Sequence, residues 1–150
     1  MKLTQRTLRL ALKPMSVDHP DQLQKLSRRM LMFMTQEGGI GLAANQIGER
    51  NRCFVMAIDG REWFCANPEI VQAHEDIVQF DEGCLSFPRD RCIISRPDTI
   101  QVRYQDTDGQ WQQETLTSLA SRCFQHELDH LNGITMWDRY KEQHAEQPRN

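Results

Sequence analysis

The chain has 150 residues, 39% of them hydrophobic and 26% charged, which is the size of one compact domain able to bury its own core without disulfides. Its formal net charge of -3 is spread along the sequence, and that excludes the basic footprint of a nucleic-acid binder. No apolar run approaches the roughly 20 residues of a membrane span, and Arg6, Arg9 and Lys13 interrupt the apolar residues of the start, which argues against a cleaved signal peptide.

Between Asp21 and Gln36, Leu23, Leu26, Met30, Phe33 and Met34 recur at helical intervals. Asp18 is a candidate N-cap and Gly38-Gly39 a stop, so an amphipathic helix is expected there. From Cys53 the texture becomes β-rich. Cys53 to Ile58, Trp63 to Ala66, Glu69 to Phe80 and Ile100 to Tyr104 read as strands, with hairpin turns at Asp59-Gly60 and Asp108-Gly109 and a return strand from Trp111 to Leu116. A second helix is expected from Leu119 to Leu131, capped by Thr117 or Ser118 and stopped by Asn132-Gly133. The order predicts an α+β class: an N-terminal helix, several mostly antiparallel strands and a C-terminal helix, all in one domain over residues 1–150. The polar stretch from about residue 139 to 150 reads as a frayed tail.

The strongest chemical signal lies on the second helix, in His126-Glu127-Leu128-Asp129-His130. At about 100° per residue the two imidazoles fall about 40° apart on one face, where both can chelate one ion. Glu127 borders that ion without having to bind it, as suits a general base for a metal-activated water. Set against this is a surface helix whose His and Glu are merely solvated. A catalytic site needs a third ligand. In the pattern H-E-x-x-H-x-x-G-x-x-H the last position here is Met136, so that route fails.

Five cysteines, Cys53, Cys65, Cys84, Cys92 and Cys123, form an odd set without short paired spacing. That is unlike a secreted disulfide framework and points to a reducing, cytoplasmic home. Only Cys84, in Glu82-Gly83-Cys84-Leu85-Ser86, stands in a glycine-bearing turn, and it is the candidate third ligand. Gly39-Ile40-Gly41-Leu42-Ala43-Ala44-Asn45-Gln46 is built from small residues that let another backbone come close. A tight connection between helix and strand accounts for it equally well.

In this order, G-I-G-L-A-A-N-Q, E-G-C-L-S and H-E-L-D-H resemble the three signature motifs of the peptide deformylase family, and the likeness runs from about Leu8 to Arg139. The resemblance implies a metal-dependent hydrolase that removes the formyl group from formyl-methionyl nascent polypeptides and releases formate. It implies Cys84, His126 and His130 as metal ligands and Glu127 as the proton shuttle. Gln46 and the Leu85 N–H would bind the formyl oxygen, and Ile40 with Gly41 would pair with the extended substrate. Fe²⁺ is the expected ion, with Zn²⁺, Ni²⁺ or Co²⁺ able to substitute.

Other classes remain: a metallopeptidase using the same H-E-x-x-H pattern, or a non-catalytic binder of formylated chain ends. Retention of Glu127 and Gln46 argues against the binder. The short ends suggest a compact or divergent member, of bacterial or phage type, and leave contact with the ribosome open. Asn45 departs from the family pattern and is expected to point away from the site. Asp129 and Glu82, each near a ligand, are expected to share Arg96. Arg122, with Leu119 and Cys123, falls on the ligand face of the helix, where the family's methionine pocket lies and where an apolar residue is usual. Its stem is expected to form a wall and its charged head to reach solvent at the rim, favouring acidic peptides, because an unpaired buried charge is costly.

Overall fold

In the computed structural model, which describes residues 1–145, the apolar stripe of the first helix forms where its spacing places it. Helix α1 spans Pro20–Gln36 and buries Leu23, Met30, Phe33 and Met34. Its start differs from expectation. Pro20, with φ preset for the first turn, opens the helix after His19, and Asp18 instead bonds the hydroxyl of Ser16.

Seven strands follow: β1 Gly41–Ala43, β2 Cys53–Ile58, β3 Arg61–Ala73, β4 Ile77–Cys84, β5 Phe87–Pro97, β6 Thr99–Gln105 and β7 Trp111–Thr117. Five of them make one antiparallel sheet in the order β1-β2-β3-β6-β7, while β4 and β5 form a ribbon of their own. The run expected from Glu69 to Phe80 is therefore two strands. Around His74–Asp76 the chain leaves its partner β6 and turns to pair with β5. Asp59 and Gly60, both at positive φ (51° and 81°), make the β2–β3 hairpin as their dipeptide promised.

Helix α2, Ser118–Leu131, lies across the large sheet and is buried from Ser121 to Leu131. Phe124 meets Phe54 of β2 edge to face, with ring centroids 5.0 Å apart, worth about 0.5–1.5 kcal/mol beyond the area covered. Gly133, at φ 75°, ends α2, and a Cβ there would lie 2.5 Å from the carbonyl of Arg9. The glycine thus lets the N-terminal segment run beside the helix end, where Leu12 N–H donates to Leu131 O at 2.8 Å.

The tail expected to fray from residue 139 is instead helix α3, Met136–His144, with Thr135 and Asp138 forming a reciprocal capping box. Met136 and Trp137 pack it against Cys92 and Ile94 of the ribbon. The last five residues of the predicted tail lie outside the described ones. Among the described residues no helix is long and apolar enough to cross a membrane.

On the face of the large sheet that it shares with Tyr104 and Leu116, Glu114 accepts hydrogen bonds from Arg61, Tyr104 and Trp63 at 2.7, 2.6 and 3.3 Å. Burial raises its pKa, but these donors outweigh burial and lower it below the ordinary value. A lowered folded-state pKa means stability that is present above the unfolded value of about 4.3 and is lost as pH falls through the folded one. Glu114→Gln should therefore lower the urea midpoint at pH 7, and its deficit against wild type should narrow below about pH 4. An equal deficit at both pH values would show that the charge of Glu114 contributes nothing.

Candidate metal centre

Two elements bring the predicted ligands together. Helix α2 presents His126 and His130 one turn apart, with ring centroids 4.9 Å from each other, and Cys84 arrives from the end of β4. One ligand atom from each residue falls within 4.8 Å of the other two. Cys84 Sγ stands 3.3 Å from His130 Nε2. The Nδ1 of His126 is 2.9 Å from Glu82 Oε1, so its Nε2 is turned toward the thiol.

The electrostatics suit a cation. Burial lowers the pKa of His130, and the neighbouring His126 lowers it further, so this ring is neutral and able to coordinate. Burial works against a charge on His126, yet Glu127, Cys84 and Glu82 raise its pKa well above the usual value: an excess of negative groups faces it. The Glu127 carboxyl is pushed up to about 7, chiefly by burial, and its Oε1 is buried without a hydrogen-bond partner. A thiol and two imidazoles converging beside a carboxyl oxygen that has no partner are what a divalent ion and its water would complete. The residues fit the group.

The surrounding cleft holds about 520 Å³ and is lined by the glycine segment, the end of β4 and the face of α2. The Gly41 position has a steric cause: a Cβ there would lie 2.5 Å from Glu127 Oε2 and 2.7 Å from Cys123 Sγ. Ala43 N–H donates to Gln46 Oε1 at 2.9 Å, which fixes the amide so that Nε2 points into the site, 2.9 Å from Ser86 Oγ and 3.6 Å from Cys84 Sγ. Leu85 adjoins Cys84 on the cleft wall.

Strand β1 is an edge strand with one side open. The carbonyl of Ile40 already accepts from Ala57 N–H at 2.9 Å. By the alternation of an antiparallel ladder, the N–H and C=O of Gly41 then point to the open side.

Arg96 lies between the two acids as expected, 2.6 Å from Glu82 and 2.9 Å from Asp129, and Arg139 of α3 adds a second guanidinium on Asp129 at 2.8 Å. Asn45 points away from the cleft, donating to the carbonyls of Leu10 and His130. Leu119 and Cys123 line the cleft with Arg122, Leu119 being the exposed one.

The head of Arg122 is not at the rim. It is only 7% exposed and is turned into the protein, where it reaches Glu82 Oε2 at 2.6 Å. The cost assigned to burying it assumed no partner; Glu82 supplies one, so the expected attraction for acidic peptides through Arg122 is lost. Exposed charges at the cleft mouth belong instead to Glu37, Asp81 and Arg91. Two contacts were missed from sequence: Glu82 on His126, and Ser86 on Gln46. A ligating imidazole needs a partner on its second nitrogen, and Glu82, two residues before Cys84, was the available signal.

The family model described as polypeptide deformylase matches residues 1–146. A peptide deformylase of Thermotoga petrophila is 42% identical over 132 residues, covering 88% of this chain and 80% of the relative. Among solved structures, the peptide deformylase of Thermotoga maritima superposes with a TM-score of 0.86 at 40% identity, covering 90% of this chain and 91% of that one. A probable peptide deformylase from Synechococcus phage S-SSM7 gives 0.87 at 34% identity, covering 93% and 100%.

Cys84→Ser should weaken binding of Co²⁺ and abolish the thiolate-to-metal charge-transfer band, whereas Cys53→Ser, Cys65→Ser and Cys92→Ser should leave the band in place. A band that persists in Cys84→Ser would remove this cysteine from the ligand set.

Proposed function

From membership of the polypeptide deformylase family, to which the chain belongs, we propose which of its residues carry out the family's reaction, and how. The enzyme is a metal-dependent amide hydrolase that removes the N-terminal formyl group from nascent polypeptides. Cys84, His126 and His130 would hold the ion, and Fe²⁺ is the proposed one, with Zn²⁺, Ni²⁺ or Co²⁺ as substitutes. When bound, the ion supplies Lewis-acid polarisation of the formyl carbonyl and acidifies the water that attacks it.

Everything else falls to the chain's own groups. Glu127 takes a proton from the water as its oxygen bonds to the formyl carbon, then delivers a proton to the departing nitrogen as the C–N bond breaks. Formate and a free amine leave. Gln46 Nε2 gives one proton to Ser86 Oγ, and its second, turned toward the Cys84 thiol 3.6 Å away, would serve the formyl oxygen, where the Leu85 N–H joins it as charge develops. The open edge, through the N–H and C=O of Gly41 beside Ile40, pairs with the substrate main chain, with formyl-methionine as the substrate end. Leu119, Cys123 and the stem of Arg122 border its side chain. Because its substrates are nascent chains, the proposed place of action is the cytoplasm, near the ribosome.

The observation that carries these assignments is the convergence of one thiol and two imidazoles beside a buried carboxylate oxygen that has no partner. A metallopeptidase acting on internal bonds would cleave unblocked peptides and release no formate. Protein prepared anaerobically with Fe²⁺ should release formate from formyl-Met-Ala-Ser and leave the acetylated peptide intact. Glu127→Ala should keep its metal while turnover drops by about 10²–10⁴-fold. Retention of more than about a tenth of the rate at full metal occupancy would refute the role of Glu127.

A further inference from the structure

The three proposed ligands sit on two bodies. His126 and His130 belong to α2, which rests on the large sheet, while Cys84 ends a strand of the separate ribbon. No ladder joins ribbon to sheet among the described residues. The position of the thiol relative to the imidazoles therefore depends on the side chains that tie the ribbon to α2.

Gln125 and Ser121 do so only at its far end, both on the carbonyl of Pro97, at 2.8 and 3.4 Å. Arg122 reaches further in. Its NH1 donates to Ile94 O of β5 at 3.0 Å and to Glu82 Oε2 at 2.6 Å, and its NH2 donates to Val78 O of β4 at 2.6 Å. The guanidinium also lies 5.3 Å from the ring centroid of Phe80. One planar group thus grips both strands and the carboxylate that orients His126, a pattern a lysine or an aliphatic side chain cannot reproduce.

We propose that Arg122 is a positioning residue for the metal centre, a clamp that seats the β4–β5 ribbon on α2 and so sets where Cys84 stands relative to His126 and His130. The proposal rests on the ligand assignment above. Without the clamp, the ribbon keeps its packing on α3 and the bridge through Arg96, but two carbonyls lose their donor and Glu82 loses one of its two arginines. The thiol then samples a wider range of positions. Metal leaves faster.

The test uses the Co²⁺ enzyme as wild type, Arg122→Leu and Arg122→Lys. Loss of Co²⁺ to excess chelator is followed by decay of the charge-transfer band, and amide hydrogen exchange of residues 77–97 is recorded with and without metal. For Arg122→Leu we expect metal loss at least tenfold faster, a shifted band, and faster exchange confined to the ribbon. Kinetically, kcat should fall by a larger factor than KM for a formyl-Met peptide rises, since leucine keeps an apolar wall where the arginine stem stood. Arg122→Lys, which retains a charge for Glu82 but not the fork, should fall between the two and serves if the leucine variant does not fold.

Unchanged metal loss and unchanged ribbon exchange would overturn the clamp and leave Arg122 only its place in the wall of the substrate cleft. The exchange measured without metal depends on no ligand assignment. If the wild type shows no charge-transfer band, the ligand reading fails while ribbon exchange still decides the clamp.

Discussion

The carboxylate of Glu82 lies where water barely reaches it, 4% exposed, and it stays ionised because Arg96, Arg122 and His126 all converge on its two oxygens. Burial alone would raise its pKa; the hydrogen bonds from His126 and Arg96 hold it far below the usual range. Stripped of these partners, the buried charge would stand uncompensated, at a cost of about 3–5 kcal/mol. The ring orientation of His126, the seating of the ribbon and the bridge to Asp129 all follow from this one buried anion. Its place two residues before Cys84 makes the link to the thiol as short as a strand allows.

Around that anchor the work is divided between a rigid part and a jointed one. Helix α2 carries two of the proposed ligands and the proposed proton-moving carboxylate on a single packed element, so their mutual geometry is set by helix pitch and needs no further support. The third proposed ligand comes from a ribbon that packs on α3 through an apolar cluster but is tied to α2 by ionic and polar contacts. Arg139 of α3 extends the same network to Asp129, so the helix after the H-E-x-x-H segment belongs to the support of the site.

What could be read from sequence follows the strength of local periodicity. The α1 stripe and the α2 motif are legible because apolar or ligating residues recur at the helical interval, and the Asp59-Gly60 turn because its backbone demands that dipeptide. The strand β5 was not assigned. Its inward positions are Cys92, Ile94 and Arg96, so an arginine stands where alternation requires an apolar residue. Helix α3 was hidden for a related reason: past Trp137 nearly every residue is polar, and its order comes from the cap and from packing on the ribbon. Arg122 was placed on the correct face with its head the wrong way round. Local reasoning weighed the charge against solvent, and its true partner is 40 residues away in sequence.

Strand β1 has only three residues, and its outer side is the wall of the cleft. An edge this short is a poor template for a second folded copy, so the molecule can leave main-chain donors and acceptors open without inviting aggregation. Recognition by such an edge is also indifferent to side chains beyond the first, because every peptide offers the same N–H and C=O groups. On the proposed pairing with nascent chains, a strand of three residues with one open side is enough to provide that indifference.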